Sequence, residues 1–302
     1  MKIRIGTRAS KLAVWQANFI SSELKRFYPT VETELITIQT KGDKILDTPL
    51  AKIGGKGLFT KEIENALAEN KIDLAVHSLK DVPSEILPEF KITAITRREN
   101  PFDAFVSNKF SAIEDLPRNS IVGTSSLRRA AQILKIRSDL QIKNLRGNID
   151  TRLKKLDSGE FDAIILAAAG LERLLYNTRI KKILTEIIPA AGQGALAIEI
   201  RADDFVTADL LRKLNDDETN LAVRVERDFL KIIGGSCQIP VGIFAQVDNK
   251  KISARAIISS ADGRNFIEDT KIDSVENISE FGKNFAENLL NRGGKEILAE
   301  IL

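Results

Sequence analysis

Several arginines of this sequence stand just after strand-like segments, where open α/β sheets bind their ligands. Arg8, Arg128, Arg129 and Arg146 all have this position. The segment at residues 123–129 (GTSSLRR) also supplies hydroxyl groups and the free backbone N–H groups of a helix start, and such donors bind anions together with guanidinium groups. We therefore predict a site for carboxylates or phosphates, to which hydroxyls contribute from Thr124, Ser125 and Ser126.

Arg152 and Arg173 would extend this site to a second or third anionic group. Arg152 lies in the helical segment after Arg146, and Arg173 follows Gly170 and Leu171. Taken alone, each is more typical of a surface arginine paired with a carboxylate, since the chain contains 42 Asp and Glu residues. At the level of the residues both interpretations stay open.

The segment at residues 77–83 (HSLKDVP) directly follows a strand-like run and ends in a proline, which is typical of a loop at a binding site. Asp81 beside a cation is suited to stabilise a developing positive charge or to exchange a proton with a leaving amine. Lys80 is suited to neutralise a substrate carboxylate. The alternative is an ordinary turn in which Asp81 caps a helix and His77 packs as a neutral side chain.

Two glycine-rich segments favour different functions. Residues 41–59, with the run GGKGLF at their end, permit a flexible excursion of the chain, which we interpret as a mobile lid. No GxxxxGK[ST] motif occurs, which argues against nucleotide hydrolysis. Residues 192–197 (GQGALA) formally match a dinucleotide-binding pattern but lie far from the first strand, so an oxidoreductase is a competing hypothesis.

Cys237 is the only cysteine of the chain. A lone cysteine is more often a small buried apolar side chain than a reactive one. Here the sequence GGS before it and QIP after it predict an exposed loop, in which a thiol can act as a nucleophile or as a covalent anchor. A cysteine hydrolase would need a base, and His77 is the only histidine available.

The composition excludes several other classes of function. With 45 basic and 42 acidic residues the net charge is only +3, so nothing indicates a nucleic-acid partner. The longest apolar stretch, at residues 163–171, is far too short to span a membrane, and no signal peptide precedes the first strand. A single cysteine allows no internal disulfide or cysteine-rich metal site, so we expect a cytoplasmic protein without a structural metal.

Strand-like runs alternate with loops and helical patterns along the first two thirds of the chain, which predicts an α/β fold. Breaks in periodicity at residues 98–101 and 189–194 predict hinges between two α/β lobes. After about residue 217 a helix, a glycine-rich loop and alternating strands predict a smaller α+β domain.

Taken in order, the motifs of this chain resemble those of the porphobilinogen deaminase (hydroxymethylbilane synthase) family. They lie at residues 7–10 (TRAS), 54–59, 77–83, 123–129, 145–148 (LRGN), 192–194 and 235–238 (GSCQ). The resemblance implies two lobes like those of periplasmic binding proteins and a third domain that carries the cysteine. The expected division is residues 1–98 with 195–214, residues 102–190, and residues 217–302.

The resemblance also implies a reaction and a cofactor. A dipyrromethane would be joined through a thioether to Cys237. Four porphobilinogen molecules would lose ammonia, become electrophilic azafulvenes and be added to this primer, and hydrolysis would release the linear tetrapyrrole hydroxymethylbilane. A monomer is expected, with the product passed to uroporphyrinogen-III synthase. Each pyrrole carries two carboxylates, which accounts for the many arginines.

Residue by residue, the resemblance implies that Asp81 is the catalytic group, which holds the pyrrole nitrogens and stabilises the cationic intermediate. Implied cofactor contacts come from Cys237, Lys80, Asp81, Thr124, Ser125, Ser126, Arg128, Arg129, Arg146, Gly147 and Gly170. Implied substrate contacts come from Arg8, Ser10, Lys52, Lys56, Arg146, Asn148, Arg152, Arg173 and Gln193.

Two positions depart from the family pattern. Phe102 stands where an arginine is expected, which puts one hinge ion pair in doubt, and Leu79 replaces a methionine.

A competing hypothesis of a different class is a two-lobed module that closes on a small anion without chemistry. That module would have no need of an exposed cysteine.

Overall fold

The computed structural model describes residues 1–44, 60–234 and 239–301. Three positions with a predicted role, Lys52, Lys56 and Cys237, lie outside these ranges, as does the glycine-rich run at residues 54–59.

The strands and helices are numbered in chain order. The strands are β1 (Lys2–Thr7), β2 (Glu32–Thr37), β3 (Leu74–Ser78), β4 (Phe90–Ile95), β5 (Asp103–Val106), β6 (Ile121–Gly123), β7 (Gln141–Lys143), β8 (Ala163–Ala167), β9 (Ile180–Leu184), β10 (Leu196–Arg201), β11 (Val241–Asp248), β12 (Lys251–Ser259) and β13 (Phe266–Ser274). The helices are α1 (Lys11–Phe27), α2 (Lys41–Lys44), α3 (Lys61–Ala68), α4 (Leu127–Ile136), α5 (Ile149–Asp157), α6 (Ala168–Arg173), α7 (Phe205–Leu211), α8 (Asp217–Ile233), α9 (Ile278–Leu289) and α10 (Lys295–Ala299).

Two sheets of the same design form the first two lobes. The first has the order β2-β1-β3-β10-β4 and the second the order β7-β6-β8-β5-β9. In each, three parallel strands are followed by one antiparallel strand, β10 or β5, that enters after the chain has crossed from the other lobe. The prediction of two α/β lobes is therefore confirmed, and the two lobes share one topology.

The apolar runs in the sequence become the covered centres of these sheets. Strand β8 (AIILA) and strand β3 (LAVHS) are buried along nearly their whole length, as is typical of parallel strands with helices on both faces. Ile5, Leu74 and Ile198 lie in the core of the first lobe, and Ile164 and Leu171 in that of the second. The carboxyl ends of β1, β3 and β6 therefore open into the loops that carry the predicted site residues.

The third unit is the smaller α+β domain that the sequence predicts. Strands β11, β12 and β13 form an antiparallel meander. Helices α8 and α9 pack beside it around Phe229, Phe281 and Phe285. Among the described residues, no helix is both long and apolar enough to cross a bilayer.

Glu226 of α8 joins the third domain to the junction of the lobes. Its side chain is fully buried and accepts two hydrogen bonds from the Arg98 guanidinium, at 2.8 and 3.0 Å. It also accepts the backbone N–H groups of Gly192 at 2.6 Å and Ala245 at 2.7 Å. Phe102, the position expected to be arginine, packs its ring 5.6 Å from that of Phe244 on β11. The junction therefore combines one buried ion pair with an aromatic contact.

Helix α1 of the first lobe also contacts the second lobe directly. Lys11 Nζ lies 3.2 Å from Asp150 Oδ2, and the hydroxyl of Tyr176 donates to Asp150 Oδ1 at 2.5 Å. The guanidinium carbon of Arg173 lies 5.7 Å from the centroid of the Trp15 ring. Because Lys11 is largely exposed, solvent screens its ion pair, which contributes little to stability.

Candidate active site in the cleft

The loops after β1 and β3 bring Arg8, Ser10 and Asp81 to the lining of one pocket. Ser10 caps the start of α1 and accepts a hydrogen bond from the Ala13 N–H at 3.3 Å. Ser78 at the end of β3 accepts a hydrogen bond from Gln16 Nε2 at 2.8 Å. Sequence adjacency alone does not predict this pocket, because its two loops are brought together by the parallel pairing of β1 with β3.

Asp81 is exposed, at the end of a short 3₁₀ helix that spans Leu79–Asp81. The N-cap of that helix is Ser78, so Asp81 is not the capping residue of the alternative interpretation. His77 is buried, with Nε2 2.9 Å from Glu199 Oε2 on the neighbouring strand β10. That contact engages the histidine nitrogen within the sheet. Cys237 lies outside the described residues, so the pairing of His77 with Cys237 is not tested.

Arg128 and Arg129 at the start of α4 are both held by Asp103, a residue that the sequence analysis missed. Arg128 Nη1 lies 2.8 Å from Asp103 Oδ2, and Arg129 Nη2 donates to Oδ1 at 2.7 Å. Burial opposes ionisation of Asp103, but the two guanidinium groups outweigh it and hold its pKa well below the usual range. The sequence does contain a signal for this role of Asp103, because it is an acidic residue at the start of the apolar strand DAFV. A carboxylate buried in such a strand requires a cationic partner.

Gln193 links the two sides of the cleft. Its Nε2 group donates to Asp103 Oδ1 at 2.9 Å and to the Pro101 carbonyl at 2.7 Å, while its Oε1 accepts a hydrogen bond from Lys80 Nζ at 3.1 Å. Lys80 belongs to the first lobe and Asp103 to the second. A single amide therefore connects the predicted Lys80–Asp81 loop to the arginine pair.

The glycines around Gln193 form a junction turn and not a nucleotide loop. Gly192 and Gly194 have φ of 72° and 92°, a left-handed backbone that favours glycine. A Cβ atom on Gly194 would lie 2.6 Å from the Glu99 carbonyl oxygen. The turn leads into strand β10, whereas a dinucleotide motif leads into a helix. The oxidoreductase hypothesis therefore loses its only motif.

Four of the predicted residues shape the loops of the second lobe. Ser126 caps α4 and Asn148 caps α5, where its side-chain oxygen accepts a hydrogen bond from Thr151 N–H at 2.9 Å. Gly147 has φ of 112°, and a Cβ there would lie 2.7 Å from Thr151 Cγ2. Arg152 reaches back to the Gly147 carbonyl, which accepts from its Nε at 2.8 Å. These contacts fold the RGN loop back toward α5.

The remaining hydroxyls of the GTSS loop are engaged by the protein itself. Ser125 Oγ donates to Asn144 Oδ1 and to the Leu145 carbonyl, both at 2.6 Å. Thr124 is buried, and its Oγ1 accepts the Ser126 N–H at 3.2 Å. Their predicted contacts with an anion stay predictions.

Arg173 occupies a place at the lobe junction. Its Nε donates to Glu99 Oε2 at 2.6 Å and its Nη2 to the Gly194 carbonyl at 2.9 Å. The carboxylate pairing named as its alternative is thus present, although at a buried position and not at the surface. Gly170, one turn earlier, lies against Leu12 of the first lobe. Binding of a ligand by either residue stays a prediction.

Burial and neighbouring cations disfavour the charged forms of two side chains in the cleft. Burial and the neighbouring Arg129 lower the pKa of Lys80 to about 8. Burial, Arg129 and Arg146 lower the pKa of Arg152 to about 10, with Asp81 acting in the opposite direction. Arg129 and Asp81 therefore act on both Lys80 and Arg152. Cations held close together in this way are suited to bind a ligand with several carboxylates.

Within residues 1–44, 60–234 and 239–301, no group of three or more His, Cys, Asp or Glu side chains is arranged to hold a metal ion.

Fold and site together define a two-lobed α/β protein with a cation-lined cleft. Two family models match it: porphobilinogen deaminase, dipyromethane cofactor binding domain, over residues 3–209, and porphobilinogen deaminase, C-terminal domain, over residues 220–291. The chain belongs to the porphobilinogen deaminase family, whose members act on porphobilinogen in tetrapyrrole biosynthesis. Its first two thirds are the dipyrromethane-binding part.

Solved structures with a similar chain path include two binding proteins. The methionine binding protein MetQ is 14% identical with a TM-score of 0.47, and the match covers 70% of this chain and 89% of that protein. A nutrient binding protein from Burkholderia cenocepacia bound to methionine is 15% identical with a TM-score of 0.45, over 69% of this chain and 89% of that protein. The fold assignment rests on the sheet orders and the family models.

The residues of the cleft fit a dipyrromethane. Such a group carries two acetates and two propionates, and the cleft offers Lys80 and Arg152 with lowered pKa values, beside Arg129 and Arg146. A lowered pKa means that the charged form of each side chain is under-compensated, and carboxylates of a bound pyrrole would supply the missing counter-charge.

We expect binding of porphobilinogen to weaken as the pH rises through about 8, because Lys80 then loses the proton that pairs with a carboxylate. The measurement is kcat/KM against pH for the wild type and Lys80→Arg. The arginine variant should lack this inflection, since guanidinium stays charged. Titration of the substrate amine is common to both proteins and cancels in the comparison. Superimposable profiles would contradict the assignment.

Proposed function

We propose that the chain is a hydroxymethylbilane synthase. It deaminates four porphobilinogen molecules, joins them head to tail on a dipyrromethane held by a thioether to Cys237, and releases the linear tetrapyrrole by hydrolysis. The observation that carries this proposal is the chain of contacts from Lys80, beside the exposed carboxylate of Asp81, through Gln193 and Asp103 to Arg129, which joins the two lobes.

Asp81 is the catalytic residue of the proposal. When ammonia leaves porphobilinogen, positive charge develops on the pyrrole ring and its nitrogen. A carboxylate fixed beside that nitrogen stabilises this charge, in the way that preorganised groups stabilise a developing charge in other enzymes. The 3₁₀ helix at Leu79–Asp81, the hydrogen bond from the Leu79 N–H to the Ala195 carbonyl, and the Lys80–Gln193 contact hold the carboxylate in place.

The cations bind and orient the carboxylates of the pyrroles. Arg128 and Arg129 are preorganised by Asp103, so little conformational entropy is lost when a carboxylate binds. Arg8 and Ser10 line the pocket beside Asp81, and Arg146 and Arg152 lie on the opposite lobe. When bound, the dipyrromethane supplies the free α-carbon onto which the first monomer is added.

Several wider properties belong to the same proposal. The division into residues 1–98 with 195–214, residues 102–190 and residues 217–302 gives one cleft and one cofactor-bearing domain. The protein acts in the cytoplasm as a monomer. It passes its unstable linear product to uroporphyrinogen-III synthase, which closes the ring.

Intact mass spectrometry tests the covalent anchor. We expect purified wild-type protein to exceed the mass of its chain by one dipyrrole and to give the Ehrlich colour, and brief exposure to porphobilinogen to add further pyrrole masses in steps. Cys237→Ser should have the mass of the bare chain and no turnover, because an alcohol is a much weaker nucleophile than a thiolate. Ser236→Ala is the matched control and should keep the adduct. An active wild type of bare mass would refute the proposal.

A further inference from the structure

Helix α8 presents one stripe of side chains to the segment that follows Asp81. Val223, Arg227 and Lys231 are spaced four residues apart and therefore lie on one face of the helix. The segment that they contact runs from Val82 to Glu85.

The three contacts differ in strength. Val223 and Val82 are buried in one apolar cluster with Leu79. Lys231 Nζ lies 3.9 Å from Glu85 Oε1, and both side chains are more than half exposed, so this pair contributes little. Arg227 makes the specific contact: its Nη2 donates to the Pro83 carbonyl at 2.7 Å and to the Ser84 carbonyl at 3.1 Å, and its Nη1 lies 3.5 Å from the Val82 carbonyl.

These carbonyls belong to a turn outside any helix or strand. Burial lowers the pKa of Arg227, with Asp228 and Glu199 acting in the opposite direction. A guanidinium removed from water needs partners for its donors, and here it finds them in consecutive backbone carbonyls. The planar fork fixes the path of the chain just after Asp81, which a lysine with its single flexible ammonium does less well.

The same helix precedes Cys237 in the chain and also contacts the lobe junction. Helix α8 ends at Ile233, Gly234 follows with φ of 72°, and Cys237 comes three residues later. From Arg227 to Ile233 the helix rises only about 9 Å. One turn of α8 also places Glu226 on the lobe junction. A single helix therefore contacts both the Asp81 loop and the lobe junction.

We propose that Arg227 is a positioning residue, which fixes the Asp81 loop relative to helix α8 and, through this helix, relative to the lobe junction. The inference rests on the proposed function, since it concerns the placement of the catalytic carboxylate. Arg227 does not touch the substrate; it acts through the backbone of residues 82–84.

The test compares Arg227→Ala, Arg227→Lys and the control Arg224→Gln, an exposed arginine of the same helix that lies 3.9 Å from Asp228. For Arg227→Ala we expect kcat to fall about 10- to 100-fold with little change in KM, as a displaced reacting group does. Arg227→Lys should retain an intermediate kcat, and added guanidinium should partly restore Arg227→Ala. Arg224→Gln should equal the wild type.

Two readouts are independent of turnover. Hydrogen exchange should accelerate in peptides covering residues 79–90 of Arg227→Ala and stay unchanged elsewhere, and intact mass should still show the dipyrrole. Two results would overturn the inference and leave the proposed function intact. The first is a wild-type kcat in Arg227→Ala. The second is a loss of kcat that guanidinium does not restore and that equals the loss of folded protein. A wild type without adduct or turnover would instead overturn the proposed function.

Discussion

Asp81→Ala should lower kcat for porphobilinogen by at least about 100-fold, the loss typical when one preorganised electrostatic group is removed from a transition state. The folded state should be almost unaffected, within about 0.5 kcal/mol, since Asp81 is exposed and surface substitutions usually change stability little. The measurements are kcat from product formation and the midpoint of thermal unfolding of the same preparations.

A second readout follows from the charges around Asp81. Because Asp81 raises the pKa values of both Lys80 and Arg152, removing it should lower the pKa of Lys80 further below about 8. The alkaline inflection of kcat/KM should then move to lower pH in Asp81→Asn. Asp81→Glu keeps the charge and is the matched control. Its activity should lie between those of the wild type and Asp81→Asn. Near-normal kcat in Asp81→Ala would refute the catalytic role of Asp81.

Asp103→Asn should be the most destabilising substitution in the cleft. It would leave Arg128 and Arg129 buried without their shared counter-charge, and breaking a buried ion pair from one side costs about 3–5 kcal/mol. The amide can still accept a hydrogen bond from one guanidinium, but it cannot neutralise two. Denaturant unfolding of both proteins measures the difference.

Asp139→Asn is the matched control, because Asp139 pairs with Arg137 near the surface, where solvent screens the pair, and its loss should cost much less than the loss of Asp103. The pH dependence gives an independent check. The folded-state pKa of Asp103 is lowered, so its stabilisation is present above the usual carboxyl pKa and is lost as the pH falls below it. Asp103→Asn should therefore flatten the acid side of the stability curve. Equal stability of the two variants would contradict the role of Asp103.

Local patterns in the sequence predicted the local parts of the structure. The hydroxyl-rich loop at residues 123–126 does lead into a helix, which Ser126 caps. Ser10 and Asn148, which the sequence analysis named only as substrate contacts, also cap helices through side-chain contacts within three residues. The breaks at residues 98–101 and 189–194 fall at the connections between the two sheets. Such features depend on backbone groups close by in the chain, so one sequence is sufficient to predict them.

The sequence by itself therefore determined the α/β class, the two lobes and the gathering of arginines after strands, because hydrophobic period and capping are local. Only the tertiary structure decided which groups those arginines meet. Gln193 reaches Asp103 across 90 residues, and Arg98 reaches Glu226 across 128. Arg227 likewise reaches the Pro83 carbonyl across 144. A buried charge pairs with the group that the packed lobes bring within hydrogen-bonding distance. Residue type and local spacing do not determine that distance, because the partners are far apart in the sequence.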